Sequence, residues 1–250
     1  MRRSVIAAPC MQRRWVMAAI VLFATAMPAM AETFDAVYRA TLAGVPVGKG
    51  RLTGDVGTGA YTIRLKGEAS LLGFSSRFEA ASNGASSGTR RVPANYLLKT
   101  EGRVARKIEV NFAGDGAANV SIEPQPSAAD REGRLPIEPA HLKEALDPMS
   151  AMMTEILRAS QSDNPCDGIA HVFTGSMRFD LTLTSGEPAI GEIVCRAVYH
   201  PIAGHKPSGS SKPIVALIAY PRVGKAGEPR LPVRLEVPLP VGTITIRRIG

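Results

Sequence analysis

The side chains whose types and spacing could do chemistry are Cys166 and Cys195, His200 and His205, and three methionines at Met149, Met152 and Met153. Two cysteines in an exported chain pair most often. A bond between them would close a loop of about 30 residues and stabilise by about 3.5 kcal/mol on chain-entropy grounds. A redox-active pair would use Cys-x-x-Cys spacing, which these two lack. Pro201 and Gly204 deny His200 and His205 the shared helix face that adjacent metal ligands use. No metal and no cofactor are expected. The chain holds no phosphate loop, His-Glu-x-x-His helix or dinucleotide fingerprint, and no catalytic residue is nominated. Asn119-Val120-Ser121 matches a glycosylation acceptor, a triplet frequent by chance.

The methionines belong to a helix. Asp147 followed by Pro148 is an N-cap and first-turn pair. Met149, Met152, Met153, Ile156 and Leu157 then fall at i, i+3, i+4, i+7 and i+8, one apolar stripe on a helix over about 148–160. Asn164-Pro165 ends the region. Methionine repacks easily around a guest, so Met149, Met152, Met153 and Ile156 are candidates for the wall of a ligand cavity. The same stripe fits a plain core, and the sequence leaves both readings open.

Alternation governs the rest. Phe34, Ala36, Tyr38, Ala40 and Leu42 oppose Asp35, Arg39 and Thr41; Tyr61, Ile63 and Leu65 oppose Thr62, Arg64 and Lys66. Ile108, Val110 and Phe112 repeat the pattern, as do Met177, Phe179, Leu181 and Leu183. A period of two marks strands with one buried and one wet face. Gly44 to Gly48, Asp55-Val56-Gly57, Asn83-Gly84 and Gly114-Asp115-Gly116 read as hairpin connections. Ile214 to Ala219 reads as a strand covered on both faces, and Ser127 to Arg134 as a polar loop. The expected fold is mostly β: an antiparallel, strongly curved sheet, an incomplete β-barrel or β-spiral, with one amphipathic helix covering it. One domain over 32–250 is expected, with strand groups at about 33–125 and 168–249 joined by a loop and the helix.

Residues 1–31 read as a cleavable signal peptide. Arg2, Arg3, Arg13 and Arg14 precede an apolar run from Trp15 to about Pro28, and Ala29-Met30-Ala31 is a small-x-small cleavage pattern ending at Ala31. The rival reading, a membrane anchor, needs roughly 20 apolar residues, more than this run supplies. Cys10 lies before the apolar run, so it is not a lipoprotein cysteine. Export to the periplasm without a lipid anchor or transmembrane segment is expected. The formal charge of +8 is dispersed, without a basic run or interleaved aromatics, so no nucleic-acid partner is expected.

Several of these segments together resemble the bacterial family called domain of unknown function 3108 (DUF 3108). They are Tyr38-Arg-Ala-Thr-Leu-Ala-Gly-Val-Pro-Val-Gly48, Asp147-Pro-Met-Ser-Ala151, Cys166 with Val172-Phe-Thr-Gly175 and Arg178-Phe-Asp-Leu181, and Cys195 with Tyr199-His-Pro-Ile-Ala-Gly-His205. The resemblance implies an exported envelope protein of Gram-negative bacteria with a β-rich fold and no assigned activity. Three function classes follow in order. The first is a non-catalytic envelope protein holding a lipid or acyl chain in the concavity of its sheet. The second is an interaction module for another envelope protein. The third is a hydrolase without a recognisable signature.

Overall fold

Residues that alternate in the sequence alternate in burial. Phe34, Ala36, Leu52, Tyr61, Ile63, Ala80, Tyr96, Ile108 and Val110 all point to one side of one sheet and are buried there. The structure, a computed structural model, describes residues 32–71, 73–87, 90–102, 105–113, 118–207, 213–224 and 228–250. The signal-peptide reading of 1–31 and the expected turn at Gly114-Asp115-Gly116 therefore lie outside the described residues.

The first strand group is β1 (Glu32–Leu42), β2 (Val45–Val56), β3 (Ala60–Leu71), β4 (Phe74–Ser87), β5 (Arg90–Gly102), β6 (Arg106–Phe112) and β7 (Ala118–Glu123). The second is β8 (Gly168–Phe173), β9 (Arg178–Ser185), β10 (Glu192–Ala203), β11 (Val215–Pro221), β12 (Arg234–Leu239) and β13 (Gly242–Arg248). Between the groups lie α1 (Ala128–Arg131), a 3-10 turn at Pro139–Leu142 and α2 (Pro148–Gln161). Among the described residues 13 strands form a single sheet in the order β7-β6-β5-β4-β3-β2-β1-β13-β12-β11-β10-β9-β8. Each group is an antiparallel meander, and β1 joins β13 with Tyr38 opposite Arg248 and Leu42 opposite Ile244. The sheet is not closed into a barrel: β7 and β8 are its two ends.

The ends nonetheless approach through side chains. A Cβ placed on Gly175, in the β8–β9 turn, would lie 2.8 Å from Ile108 of β6, and Phe173 shares a core cluster with Ile108 and Val110. Backbone covers part of the β8 edge. Leu146 N donates to His171 O at 2.8 Å, and Phe173 N donates to Leu146 O at 2.8 Å.

Three local expectations change. Asn83-Gly84 is not a turn; it lies inside β4 at a bulge that shifts the register against β5. Gly84 is there for space, since a Cβ would stand 2.1 Å from Val92 O. Ser127 to Arg134 is not wholly a loop, because Ser127 and Asp130 form a capping box around α1. The strand at Ile214 to Ala219 is present as β11, but Val215 to Ile218 are half-buried and Ile214 is exposed, so its outer face stays uncovered.

Helix α2 lies on the inner face, against β3, β4, β5 and β8. Asp147 caps it, accepting from Met149 N and Ser150 N at 2.9 and 3.0 Å. Its contacts exceed the single stripe read from the sequence. Met149, Met153, Ile156 and Leu157 join Tyr61, Ile63 and Val110 in the main core. Ala151 packs on Ala170 and Val172, and Ala159 packs on Cys166, Cys195 and Tyr220. The two alanines permit close approach on flanks that a hydrophobic-period reading does not register.

Candidate functional site

The off-centre seat of α2 leaves part of the inner face uncovered. Over β1, β2, β12 and β13 the inward positions include Ala40, Gly48 and Gly50, which fill little space. The result is an open cavity of about 340 Å³ walled by Tyr38, Leu52, Leu65, Phe78, Ile246 and Met152, among others. Its volume is in the range of small-molecule sites, roughly 300–1,000 Å³. Gly67 admits the Phe78 ring, whose nearest carbon lies 2.5 Å from where a Cβ would sit.

The lining is almost wholly apolar. Tyr38 turns its hydroxyl away to donate to Pro232 O at 3.0 Å, and burial pushes its pKa up to about 12. Lys49 and Glu68 stand at the rim as an ion pair at 3.2 Å. A second, more polar hollow of about 580 Å³ shares Val47, Gly48, Lys49, Glu68 and Ala69 with this cavity and adds Arg39 and Arg77. Such an arrangement can hold an apolar chain.

The nominated residues separate. Met152 is half-buried and lines the cavity. Met149, Met153 and Ile156 are 2%, 0% and 1% exposed and belong to the core. Cys166 and Cys195 are joined by a disulfide with Cα atoms 5.0 Å apart, tying the segment after α2 to β10. His200 is exposed on β10, while His205 meets the Tyr199 hydroxyl at 3.1 Å. Among the described residues, no group of three or more His, Cys, Asp or Glu is placed to hold a metal ion.

Sequence reasoning missed a buried polar cluster. Asp147, Ser150, Ser82 and Tyr61 are all nearly or fully enclosed. Ser82 Oγ donates to Asp147 Oδ2 at 2.8 Å, Ser150 Oγ donates to the same oxygen, and the Tyr61 hydroxyl meets Ser150 Oγ at 2.5 Å. Burial holds the Asp147 carboxyl above its ordinary pKa, against the pull of these hydrogen bonds, and raises Tyr61 to about 12. The cluster anchors the start of α2 to β3 and β4. None of its members lines the cavity, and none of these hydrogen bonds involves a histidine. One signal was available: Ser82 sits at an inward position of an alternating segment, where a hydroxyl must find a buried partner.

No family model matches the chain, and no curated protein matches it. Among solved structures it is similar to a β-barrel-like protein of domain of unknown function DUF1849 from Brucella abortus, with 12% identity over 86% of this chain and 95% of that one, at a TM-score of 0.46. The resemblance to DUF 3108 is thereby corrected: no model of that family matches, and the structural neighbour carries a different family designation. The quoted segments have local physical causes. Gly-Val-Pro-Val-Gly is hairpin chemistry, Asp-Pro-Met-Ser is a helix start, and the cysteines form a staple, so unrelated β-rich chains can share them. Among its described residues the chain is a mostly β protein, one open antiparallel sheet of 13 strands with few helices.

Proposed function

We propose that this is a non-catalytic, exported protein of the periplasm that holds an acyl chain or similarly slim apolar molecule on the inner face of its sheet. The observation that carries the reading is the open apolar cavity with Met152 on its wall. A methionine at the one stripe position that faces space, rather than core, suits a wall that repacks around a guest. The cavity also lacks buried charges that a hydrocarbon would leave unpaired. The export half of the reading rests on the sequence of residues 1–31 and agrees with the Cys166–Cys195 bond, which an oxidising compartment favours.

Titration with a fluorescent fatty acid tests the binding half. Saturable binding by the wild type is expected. Ala40→Phe, which places a ring in the cavity opposite Gly48 and Ile246, is expected to weaken binding at least tenfold with the circular dichroism unchanged. Met152→Ala is expected to change affinity while costing about 1 kcal/mol of stability, because the half-buried side chain forfeits little packing. A wild type that binds no apolar probe, or an Ala40→Phe variant that binds as well, rejects the reading. For export, N-terminal sequencing of the mature protein is expected to begin at Glu32. A full-length product in the membrane fraction rejects that half.

A further inference from the structure

Three neighbouring hairpins end at the same edge of the sheet: β3–β4, β1–β2 and β12–β13. Their tips are apolar. Phe74 is 56% exposed, Val45 62%, Leu239 40% and Val241 72%. Hairpin tips normally carry polar turn residues, and adjacent exposed apolar tips mark an interaction site.

Just below the tips runs a band of charge. Arg247, Arg39, Lys49, Glu68 and Arg77 lie directly opposite one another across five adjacent strands, four cations to one carboxylate. Glu101, next in the row, is engaged by Lys99 at 2.7 Å. Arg247 and Arg39 are like charges directly opposite on neighbouring strands, which costs stability unless an anion lies across them, while Lys49 beside Arg39 has Glu68 as its partner. Arg39 is three residues below Leu42, at about 3.3 Å per residue roughly 10 Å beneath the β1–β2 tip. The polar hollow lined by Arg39, Lys49 and Arg77 opens beside this band. The walls of the apolar cavity begin at Val47 and Ile244, each two residues from a tip position.

We propose that the three tips form a membrane-docking surface that seats on an anionic bilayer. A bilayer presents an apolar layer beneath a charged one, and the tips and the cation band match that order. Apolar groups of peripheral proteins enter the headgroup boundary by about 5–10 Å, close to the spacing between tips and cations. Val45, Leu239 and Val241 enter the acyl boundary, while Arg39, Arg247, Lys49 and Arg77 lie among phosphates. The cavity end of the sheet then faces lipid, from which an acyl chain could enter. Docking itself needs no cavity ligand.

Vesicle flotation tests this with two compositions, phosphatidylglycerol mixed with phosphatidylethanolamine, and phosphatidylcholine alone. The wild type is expected to float with the anionic vesicles, and to be released by salt. Val45→Ser with Val241→Ser is expected to lower the bound fraction at least tenfold at an unchanged melting temperature. Arg39→Gln with Arg247→Gln is expected to remove the preference for anionic lipid. Ile190→Ser, at an apolar residue more exposed than any of the tips but in the β9–β10 turn at the opposite end, is expected to leave flotation unchanged. Wild type and variants are all floated as the processed form beginning at Glu32, so the apolar run of residues 15–28 contributes nothing to binding. Wild type that stays unbound, tip variants that float like wild type, or an Ile190→Ser loss as large as the tip loss overturns the proposal. Fatty-acid titration without vesicles reads the cavity separately, so failure of one reading leaves the other distinguishable.

Discussion

Asp147→Ala is expected to lower the unfolding free energy by about 2–4 kcal/mol, read by urea denaturation. The change removes the N-cap of α2, a loss of about 1 kcal/mol. It also strips an acceptor from the enclosed hydroxyls of Ser82 and Ser150, at about 1–3 kcal/mol for a buried group left unpaired. Relief of the carboxyl's own burial cost offsets part of that sum. Asp147→Asn keeps the cap and is expected to cost less. Its value lies in the pH dependence. Burial raises the native carboxyl pKa above its ordinary value, so the folded protein binds that proton more tightly than the unfolded chain. The associated stability is fully present below about pH 4, the unfolded Asp value, and is lost as pH rises through the native value. The stability gap between wild type and Asp147→Asn should therefore be most favourable to wild type near pH 4 and shrink toward neutral pH. Other carboxylates cancel in that difference. A gap that widens with pH would contradict the raised carboxyl.

The strands were legible because each meander places one apolar face inward, and alternation reports that face directly. The helix start was legible because Asp147 and Pro148 do local work. What lay beyond the sequence is long-range. The β1–β13 junction pairs residues some two hundred positions apart, and neither strand's pattern names its neighbour. Asn83-Gly84 misled because a bulge and a tight turn both call for a small or left-handed residue. Only the register against β5 separates them.

The candidate site was half legible for a similar reason. Periodicity located the methionine stripe but treats Met149, Met152, Met153 and Ile156 as equivalent. Their division depends on where α2 sits across the sheet, over β3–β5 and β8 rather than over β1 and β13. That seat is set partly by the buried polar cluster, whose members Tyr61 and Ser82 come from β3 and β4. It is also set by Ala151 and Ala159, whose small size admits β8 on one flank and the disulfide on another.

Cys195→Ser is expected to cost about 2–5 kcal/mol, the usual loss for a native disulfide in a secreted domain. At this size that lowers the melting temperature by about 2–4 °C per kcal/mol. The bond matters because it ties the segment between α2 and β8 to the interior of the sheet. Cys166 lies between α2 and β8, and β8 ends the sheet with β9 as its ladder partner and a single bridge from Leu146 on the other side. The link to β10 fixes that segment to a strand paired on both sides. Arg158 adds to it from α2 by donating to Pro165 O at 2.7 Å. Cys166→Ala with Cys195→Ala is expected to cost no more than the serine variant, since the two sulfurs act as one unit and alanine leaves no buried hydroxyl. Reductant should bring the wild-type unfolding midpoint toward that of the variant and leave the variant's own midpoint in place. Two freely alkylated thiols in native, unreduced protein, or a wild-type midpoint indifferent to reductant, would show that the staple does not hold this end of the sheet.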